Sequence, residues 1–446
     1  MRNKFLGIVI FMLLISSTTT LALTPFSKNI RQMKNQLFDT TPVPSPTSKG
    51  WMKTFGGTGM DYGWSVQQTT DGGYIIGAET YSFGVNGDIL VIKTDGNGNK
   101  VWEKSFGGSS KDYQPDVKQT NDNGYIILGR TLSFGAGEND LWVIKIDENG
   151  TEQWNTTFGK QYYDYSSEIQ QTSDDGYIIV GSVNLYEPLL FDVWLIKIDG
   201  EGKEQWNRTF GEPQQEDFGC SVHQTSDGGY IVAGDTMSYG HNKGYAVWLI
   251  KTDAQGIEQW NRTYGGTDAW GGAISVDLTS DDGYIILSNR EQYEPKQVDV
   301  WVIKTGQYGD EQWNKTYGGT QKDDYGCVMY ETSDQGYVII GTIADLEGTD
   351  SDAWMEKIDF TGDEQWSKTY GGKEWDTAYS GHQTSDGGYI ITGSTQSFAK
   401  NDKSDVWLIK TDSQGKSTTM SLGNLWFERL FQWFPNAFQL LRQLLE

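Results

Sequence analysis

Cysteine and histidine are scarce in this chain of 446 residues, which has two Cys and three His. Three histidines leave little material for a zinc site, and no metal ligand is assigned. The motifs G-x-S-x-G and H-E-x-x-H are also absent, so these hydrolase and zinc-protease arrangements are excluded. No catalytic residue is assigned either, which favours a binding protein over an enzyme.

Positive charge is in short supply as well. Lys and Arg number 35 against 60 Asp and Glu, and the formal net charge is −25. Such an excess of negative charge argues against nucleic acid and anionic membrane surfaces as partners, because both repel an acidic protein. Long apolar runs are missing from the middle of the chain, so no central segment is expected to span a membrane.

The N-terminus has the features of an export signal. Arg2 and Lys4 precede an apolar run over residues 5–15, and Thr20-Leu21-Ala22 fits a small-x-small cleavage site. Residues 1–22 are therefore predicted to be a signal peptide, with a retained membrane anchor as the alternative. The protein is expected to be secreted or held at the cell surface.

Two further segments differ from the bulk of the chain. Residues 23–49 contain a Thr- and Pro-rich stretch and are predicted to be an extended linker. Residues 423–446 carry apolar side chains at helical spacing in two patterns broken at Pro435, and are predicted to be an amphipathic tail. The tail is expected either to dock on the rest of the chain or to contact a partner, the envelope or a membrane surface.

Glycine and aromatic residues are abundant, with 55 Gly, 18 Trp and 24 Tyr, and they recur with a period of a little over fifty residues. Three landmarks repeat seven times. The sequence T-x-D-x-G-Y ends at Tyr74, Tyr125, Tyr177, Tyr230, Tyr284, Tyr337 and Tyr389. A run close to D-x-W-x-I-K ends at Lys93, Lys145, Lys197, Lys251, Lys304, Lys357 and Lys410. A run close to E-Q-W-N-x-T has its Trp at Trp51, Trp102, Trp154, Trp206, Trp260, Trp313 and Trp366. Such regularity predicts a repeat architecture.

Each repeat resolves into four short strands, a to d, joined by turns rich in Asp and Gly. Strands b and c are almost continuously apolar, so both of their faces must be buried. Radial stacking of four-stranded sheets satisfies this requirement, and residues 50–422 are predicted to form an all-β, seven-bladed β-propeller. Trp51 lies in a strand d without its own strands a to c, whereas the last repeat lacks a strand d. We expect the N-terminal strand to complete the last blade; an open solenoid is the alternative.

The sequence K-x-D-x-x-G-x-x-x-W, as in residues 197–206, resembles the tryptophan-docking repeat of pyrroloquinoline-quinone-type and WD40-like propellers. Over residues 50–415 the chain is similar to repeats of secreted archaeal and bacterial propeller proteins, mostly of unassigned function. The resemblance implies the fold. Quinone-type oxidoreductases of this kind generally have eight blades and this chain has seven repeats, so the resemblance does not imply a bound quinone. The T-x-D-x-G turn also resembles the Asp-box of sialidases, where it is a folding turn.

Variable d–a and b–c loops are predicted to share one face of the propeller, where function is expected. Acidic-aromatic pairs recur in the d–a loops: Asp61-Tyr62, Asp112-Tyr113, Asp164-Tyr165, Asp217-Phe218, Asp268 with Trp270, Asp324-Tyr325 and Trp375-Asp376. Aromatic rings beside carboxylates suit a sugar or a cationic ligand. The alternative is that Asp bonds to loop N–H groups while the ring fills a gap between blades. No cofactor is assigned, although calcium in an Asp-rich loop stays open.

Three further predictions concern single residue types. Cys220 and Cys327 occupy equivalent positions in blades four and six, too far apart for a disulfide, so two free thiols are expected. His223 and His382 share one strand-a position and are expected to be polar residues beside the central channel. Sequons on strand d could carry glycans or merely alternate on an exposed edge: Asn155, Asn207, Asn261 and Asn314.

These features predict an exported binding module whose ligand is a protein or a glycan. A structural cell-envelope protein and a polysaccharide-active or quinone-type enzyme are the alternatives. The sequence leaves the oligomeric state and the identity of the ligand open.

Overall fold

The computed structural model describes residues 50–418, apart from positions 85, 187–189, 241–243, 266–269, 294–295, 320–321 and 401–402. The predicted signal peptide (1–22), linker (23–49) and amphipathic tail (423–446) lie outside the described residues. Within the described ranges the chain forms 28 β-strands, and no helix there has the length and hydropathy that crossing a bilayer needs.

The strands form seven antiparallel sheets of four, so the predicted seven-bladed β-propeller is confirmed. Blade 1 contains β2 (Asp61–Gln68), β3 (Tyr74–Thr80), β4 (Asp88–Thr94) and β5 (Lys100–Phe106). Blade 2 contains β6 (Asp112–Gln119), β7 (Tyr125–Thr131), β8 (Asp140–Ile146) and β9 (Glu152–Phe158). Blade 3 contains β10 (Tyr165–Gln171), β11 (Tyr177–Tyr186), β12 (Leu190–Ile198) and β13 (Glu204–Phe210). Blade 4 contains β14 (Asp217–Gln224), β15 (Tyr230–Thr236), β16 (Ala246–Thr252) and β17 (Glu258–Tyr264). Blade 5 contains β18 (Trp270–Leu278), β19 (Tyr284–Tyr293), β20 (Lys296–Thr305) and β21 (Glu311–Tyr317). Blade 6 contains β22 (Lys322–Glu331), β23 (Tyr337–Asp345), β24 (Ser351–Ile358) and β25 (Glu364–Tyr370). Blade 7 contains β26 (Asp376–Gln383), β27 (Tyr389–Thr395), β28 (Asp405–Thr411) and β1 (Trp51–Phe55).

The N-terminal strand closes the ring, as predicted. β1 pairs antiparallel with β28, from Trp51 opposite Lys410 to Phe55 opposite Val406. The seventh blade is therefore built from both ends of the repeat array, which rules out the open solenoid. Closure by pairing removes the free sheet edge that an open array would leave.

Two of the sequence landmarks meet across every junction between blades. The Trp of strand d contacts the Tyr of strand b in the next blade, with ring centroids 5.8–6.2 Å apart. The same Trp also packs on the Gly of the next c–d turn. In blade 4 that glycine is Gly256, at φ +72°, where an added Cβ would lie 2.6 Å from the Trp206 ring. Each repeat thus docks its tryptophan on the next blade.

The third landmark, the strand-c lysine, is buried and paired. Each lysine forms an ion pair with the Asp of its own a–b turn: Lys93–Asp71, Lys145–Asp122, Lys197–Asp174, Lys251–Asp227, Lys304–Asp281, Lys357–Asp334 and Lys410–Asp386. In blade 4, Lys251 Nζ lies 2.9 Å from Asp227 Oδ2 and donates to the Thr252 carbonyl at 2.8 Å. These contacts hold the a–b turn against strand c.

Both cysteines are free, as predicted. Cys220 and Cys327 lie on β14 and β22, the inner strands of blades 4 and 6, and both are half-buried. Burial raises the pKa of the Cys327 thiol to about 12. Equivalent positions two blades apart thus remain thiols, as the blade assignment requires.

Candidate functional site

The d–a and b–c loops share one face of the ring, which is called the loop face below; the a–b and c–d turns form the opposite turn face. Strands b and c of blades 3, 5 and 6 continue as longer hairpins toward the loop face. In these blades β11, β19 and β20 each have 10 residues and β23 has 9, whereas β3 and β4 of blade 1 have 7. Variation between blades is therefore concentrated on the loop face.

The aspartates of the predicted acidic-aromatic pairs are buried wherever they are described: Asp61, Asp112, Asp164, Asp217, Asp324 and Asp376. In blade 1, the carboxylate of Asp61 accepts hydrogen bonds from the hydroxyls of Thr80 and Ser82 and from the N–H of Gly57. Asp112 likewise accepts from Ser133 Oγ at 2.7 Å and from a loop N–H. These carboxylates join the d–a loop to the b–c loop of their own blade.

Burial also changes the acidity of some of these groups. Burial raises the pKa of Asp164 and of Asp324 to about 6, although hydrogen bonds from backbone N–H groups lower it and offset part of the effect. Both carboxylates face the loops that they hold rather than open solvent. A ligand contact by these pairs therefore depends on their aromatic members.

A continuous row of aromatic and cationic side chains crosses blades 2 to 4. Its members are Tyr113, Arg130, Tyr165, Phe191, Phe218 and Tyr245. The Arg130 guanidinium lies 4.7 Å from the Tyr165 ring centroid, and the Phe191 centroid lies 4.9 Å from that of Tyr165 and 5.2 Å from that of Phe218. Because Phe191 packs between Tyr165 and Phe218, this middle part of the row is packing between blades, whereas Tyr245 at its end also lines an open pocket.

The remaining predicted aromatic residues lie outside this row. Tyr62 is half-buried and donates to Met60 Sδ at 3.1 Å. Tyr325 and Trp375 are more open, at 39% and 45% exposure. Asp268 is outside the described residues.

Blade 5 departs from the pattern at Trp270. In blade 1 the aromatic residue Tyr62 pairs with Glu79, and the equivalent pair in blade 5 is Gly272 with Asn289. Trp270 stands two residues before Gly272 and pairs with Glu291 instead. Glycine therefore occupies the position at which blades 1 to 4 and 6 carry a ring.

Exposed apolar side chains are concentrated on the loop face. Among the described residues, the large hydrophobic side chains that are exposed there are Met60, Tyr81, Phe83, Leu132, Phe134, Tyr163, Tyr239, Tyr325, Leu346 and Trp375. Those exposed elsewhere are Val101, Ile257, Tyr308 and Phe360. Clustered exposed apolar groups mark interaction surfaces more often than scattered ones do.

A central channel of about 890 Å³ is lined mainly by strand a of all seven blades. His223 and His382 both line it, as predicted. Burial lowers the pKa of His382 to about 4, so this imidazole is neutral at pH 7. Two aromatic rings, Trp64 and Tyr379, stack at 4.6 Å on another side of the channel wall.

Charged side chains line the channel unevenly. Lys118 Nζ lies 3.2 Å from Asp116 Oδ1 and 4.0 Å from Glu168 Oε1. His223 Nδ1 lies 3.9 Å from Asp277 Oδ1. Burial raises the pKa of Asp116; it also opposes ionisation of Glu168, but His223 and Lys118 outweigh it and lower the pKa of Glu168.

These channel carboxylates also join blades. Asp116 Oδ2 accepts the N–H of Ile169 at 3.2 Å, and Glu168 Oε2 accepts that of Val222 at 3.0 Å. In blade 1 the equivalent Ser65 accepts the N–H of Val117 at 3.0 Å. His223 and His382, two positions before the repeated Thr, were predicted to lie beside the channel, but the position four before that Thr, which also differs between copies, was not.

Among the described residues, no group of three or more His, Cys, Asp or Glu side chains is arranged to hold a metal ion.

The sequon asparagines lie on the outer strands β9, β13, β17 and β21, where their side chains are already bonded. The Nδ2 of Asn155, Asn207, Asn261 and Asn314 donates to a glutamate three residues earlier, each at 2.6 Å. Asn155 Oδ1 also accepts the Trp142 indole N–H at 3.2 Å. Glycosylation at Nδ2 would compete with the bond to the glutamate and stays a prediction.

No protein-family model and no curated relative matches the sequence. Among solved structures, the chain is similar to a protein of unknown function from Dyadobacter fermentans, with 11% identity and a TM-score of 0.47 over 82% of this chain and 98% of that one. It is also similar to the β-propeller domain of the Trilobed protease from Pyrococcus furiosus (8% identity, TM-score 0.45, 85% and 100% covered) and to the Neurospora crassa Pan2 WD40 domain (9%, 0.46, 81% and 95%). These likenesses are too weak in identity and in TM-score to bear on function.

Proposed function

We propose that this chain is an exported binding module that recognises a protein or a glycan through its loop face. The observation that carries the proposal is the cluster of exposed apolar side chains on that face. A ring closed by β1 and joined by docked tryptophans is a rigid scaffold, and rigid scaffolds commonly present binding loops. Export is supported by the charged start and apolar run of residues 1–22.

Aliphatic side chains within the cluster favour a protein ligand. Leu132 and Leu346 are 41% and 50% exposed, and such groups contribute hydrophobic contact without the hydrogen bonds that a sugar requires. A glycan is the second candidate, supported by the open ring of Trp375 at 45% exposure.

The experiment compares two triple variants of the full chain. One carries Leu132→Ser, Leu346→Ser and Trp375→Ser on the loop face. Its matched control carries Ile257→Ser, Tyr308→Ser and Phe360→Ser on the turn face, where these side chains are more exposed than the three replaced on the loop face. Each protein is screened on a glycan array and against an extract of the cell envelope, with circular dichroism to confirm folding.

We expect the unmodified chain and the turn-face variant to bind the same ligand, and the loop-face variant to lose it. Equal binding by both variants would reject the loop face as the binding surface. Turnover of a polysaccharide by the unmodified chain would favour the enzyme alternative. Release from cells on deletion of residues 423–446, without any ligand in either screen, would favour a structural envelope protein.

A further inference from the structure

One position near the loop face joins neighbouring blades and varies in chemistry. It lies five residues after the Tyr of each strand b and is occupied by Glu79, Arg130, Ser182, Asp235, Asn289, Thr342 and Ser394. Ser182 Oγ accepts the N–H of Gly219 at 3.1 Å, and Thr342 Oγ1 accepts that of Ala378 at 3.1 Å. Asn289 Oδ1 accepts the N–H of Gly326 at 2.8 Å. A neutral side chain therefore suffices for the contact between blades.

Asp235 makes the same contact but adds a charge. Its carboxylate accepts the N–H of Ala273 in blade 5, while its Oδ1 is buried and has no hydrogen-bond partner among the described residues. A carboxylate oxygen removed from water without a partner is costly, and native proteins rarely leave one so. Because serine, threonine or asparagine would satisfy the fold, an ionisable carboxyl group at this position needs another explanation.

The carboxylate of Asp235 lines a pocket of about 290 Å³ that opens on the loop face. The pocket is lined by Asp235, Tyr245, Gly272, Asn289, Glu291, Val298 and Tyr325. Gly272 stands at the strand position where blades 1 to 4 and 6 carry an aromatic ring. A Cβ added at Gly272 would lie 2.2 Å from Asp235 Oδ2. The seven lining residues thus combine two carboxylates with two tyrosine rings and include neither lysine nor arginine.

The chain itself shows which group such surroundings hold. At the junction of blades 1 and 2 the equivalent carboxylate is Glu79, whose Oε1 lies 2.9 Å from Lys111 Nζ. The same Nζ lies 4.3 Å from the ring centroid of Tyr113 and 5.7 Å from that of Tyr81. A carboxylate with two tyrosines thus binds an ammonium group in this fold, by ion pairing and cation–π attraction.

We propose that the pocket beside Asp235 binds a guanidinium or ammonium group of the ligand, supplied by an arginine or lysine side chain of a protein partner. This inference rests on the proposed function, because it assigns the chemistry of one contact on the loop face. Asp235 supplies the counter-charge, and Tyr245 and Tyr325 enclose the cation. The formal net charge of −25 draws basic partners toward the protein from a distance.

The test uses small probes that differ only in charge. N-acetyl-arginine amide and its neutral isostere N-acetyl-citrulline amide are titrated by calorimetry into the full chain and into Asp235→Asn at pH 8, where Asp235 is ionised although burial raises its pKa to about 7. Asparagine is the residue that blade 5 carries at this position, so the variant keeps the contact between blades. The matched control is Glu79→Gln, which removes an equivalent charge that Lys111 already pairs.

We expect the arginine probe to bind the unmodified chain at least about tenfold more tightly than the citrulline probe, since one desolvated ion pair is worth that factor or more. Asp235→Asn should abolish this preference, and Glu79→Gln should leave it within about twofold. Tyr325→Ala should weaken the arginine probe by about two- to fivefold, as the loss of one cation–π contact predicts. Equal affinity for the two probes, or an equal loss in the Glu79→Gln control, would overturn the proposal.

The source of the cation is separated with agmatine, which carries the same guanidinium without a peptide. Tighter binding of an arginine-containing pentapeptide than of agmatine supports a protein partner, whereas tighter binding of agmatine overturns that assignment. The loop-face variant with Leu132, Leu346 and Trp375 replaced leaves the lining residues intact. This variant should still bind the arginine probe but no longer bind the macromolecular ligand. A wrong assignment of the pocket and a wrong proposed function would therefore give different results.

Discussion

The buried lysine and the exposed aspartate of each blade should respond unequally to substitution. In blade 4 the Lys251 side chain is 6% exposed and that of Asp227 is 54% exposed. Replacing Asp227 by Asn removes the counter-charge and leaves the buried ammonium with neutral acceptors only, among them the Thr252 carbonyl and Gln259 Oε1. Removing one partner of a fully buried ion pair lowers the free energy of unfolding by about 3–5 kcal/mol. Because half of the Asp227 side chain is in water, we expect Asp227→Asn to lower it by about 2 kcal/mol.

The converse substitution should cost less. Lys251→Met removes the buried charge, and Asp227 keeps its hydrogen bonds from Thr225 Oγ1 (2.5 Å) and Gly229 N–H (3.0 Å) while facing water. Since an exposed carboxylate loses little when its partner is removed, we expect a loss of no more than about 1 kcal/mol. The double variant should resemble Lys251→Met, because no buried charge remains in it.

Urea unfolding at pH 7, followed by tryptophan fluorescence, measures these free energies as shifts in the midpoint at constant slope. The pair Lys357 and Asp334 in blade 6, with side chains 4% and 57% exposed, provides a matched repeat of the experiment. A loss for the lysine variant equal to or larger than that for the aspartate variant, in both blades, would refute the reasoning from burial.

Two other outcomes follow from single positions. Burial raises the pKa of Asp235 to about 7 from an unfolded value of 3.8, so folding favours its protonated form and stability is lost as the pH rises from about 4 through 7. Asp235→Asn should therefore raise the melting temperature at pH 8 more than at pH 5, and a shift independent of pH would contradict this assignment. Gly256→Ala should destabilise by about 2 kcal/mol or more, because φ is +72° and the Trp206 ring occupies the space of the methyl group; an unchanged urea midpoint would contradict the docking geometry.

The sequence was sufficient for the fold because each repeated residue makes a repeated contact. Trp206 and Tyr230 recur at fixed spacing, and their rings meet across the junction of blades 3 and 4. Trp51 appeared without strands a to c of its own, and that absence alone predicted the closure that β1 and β28 display. Periodicity thus predicts contacts whose two partners are both repeated.

The loop face was harder to predict, because burial cannot be inferred from the identity of a residue. Asp61 and Tyr62 suggest a ligand site in the sequence, but Asp61 is fully buried and bonded to Ser82. The pocket beside Asp235 depends on a pairing register, since Gly272 stands opposite Asn289 only when the strands are aligned in space. A comparison of equivalent strand-b positions could have identified Asp235, but not the missing ring beside it.

Departures from a repeat are most informative when two of them complement each other. Asp235 lies on blade 4, at a position that varies between blades, and Gly272 lies on blade 5, where blades 1 to 4 and 6 carry an aromatic ring. A ring at position 272 would collide with the carboxylate, since even a Cβ there would lie 2.2 Å from Asp235 Oδ2. Conversely, a serine at position 235 would satisfy the Ala273 N–H without a buried charge. The two substitutions make structural sense together, because one creates the space and the other supplies the charge that a cationic side chain requires.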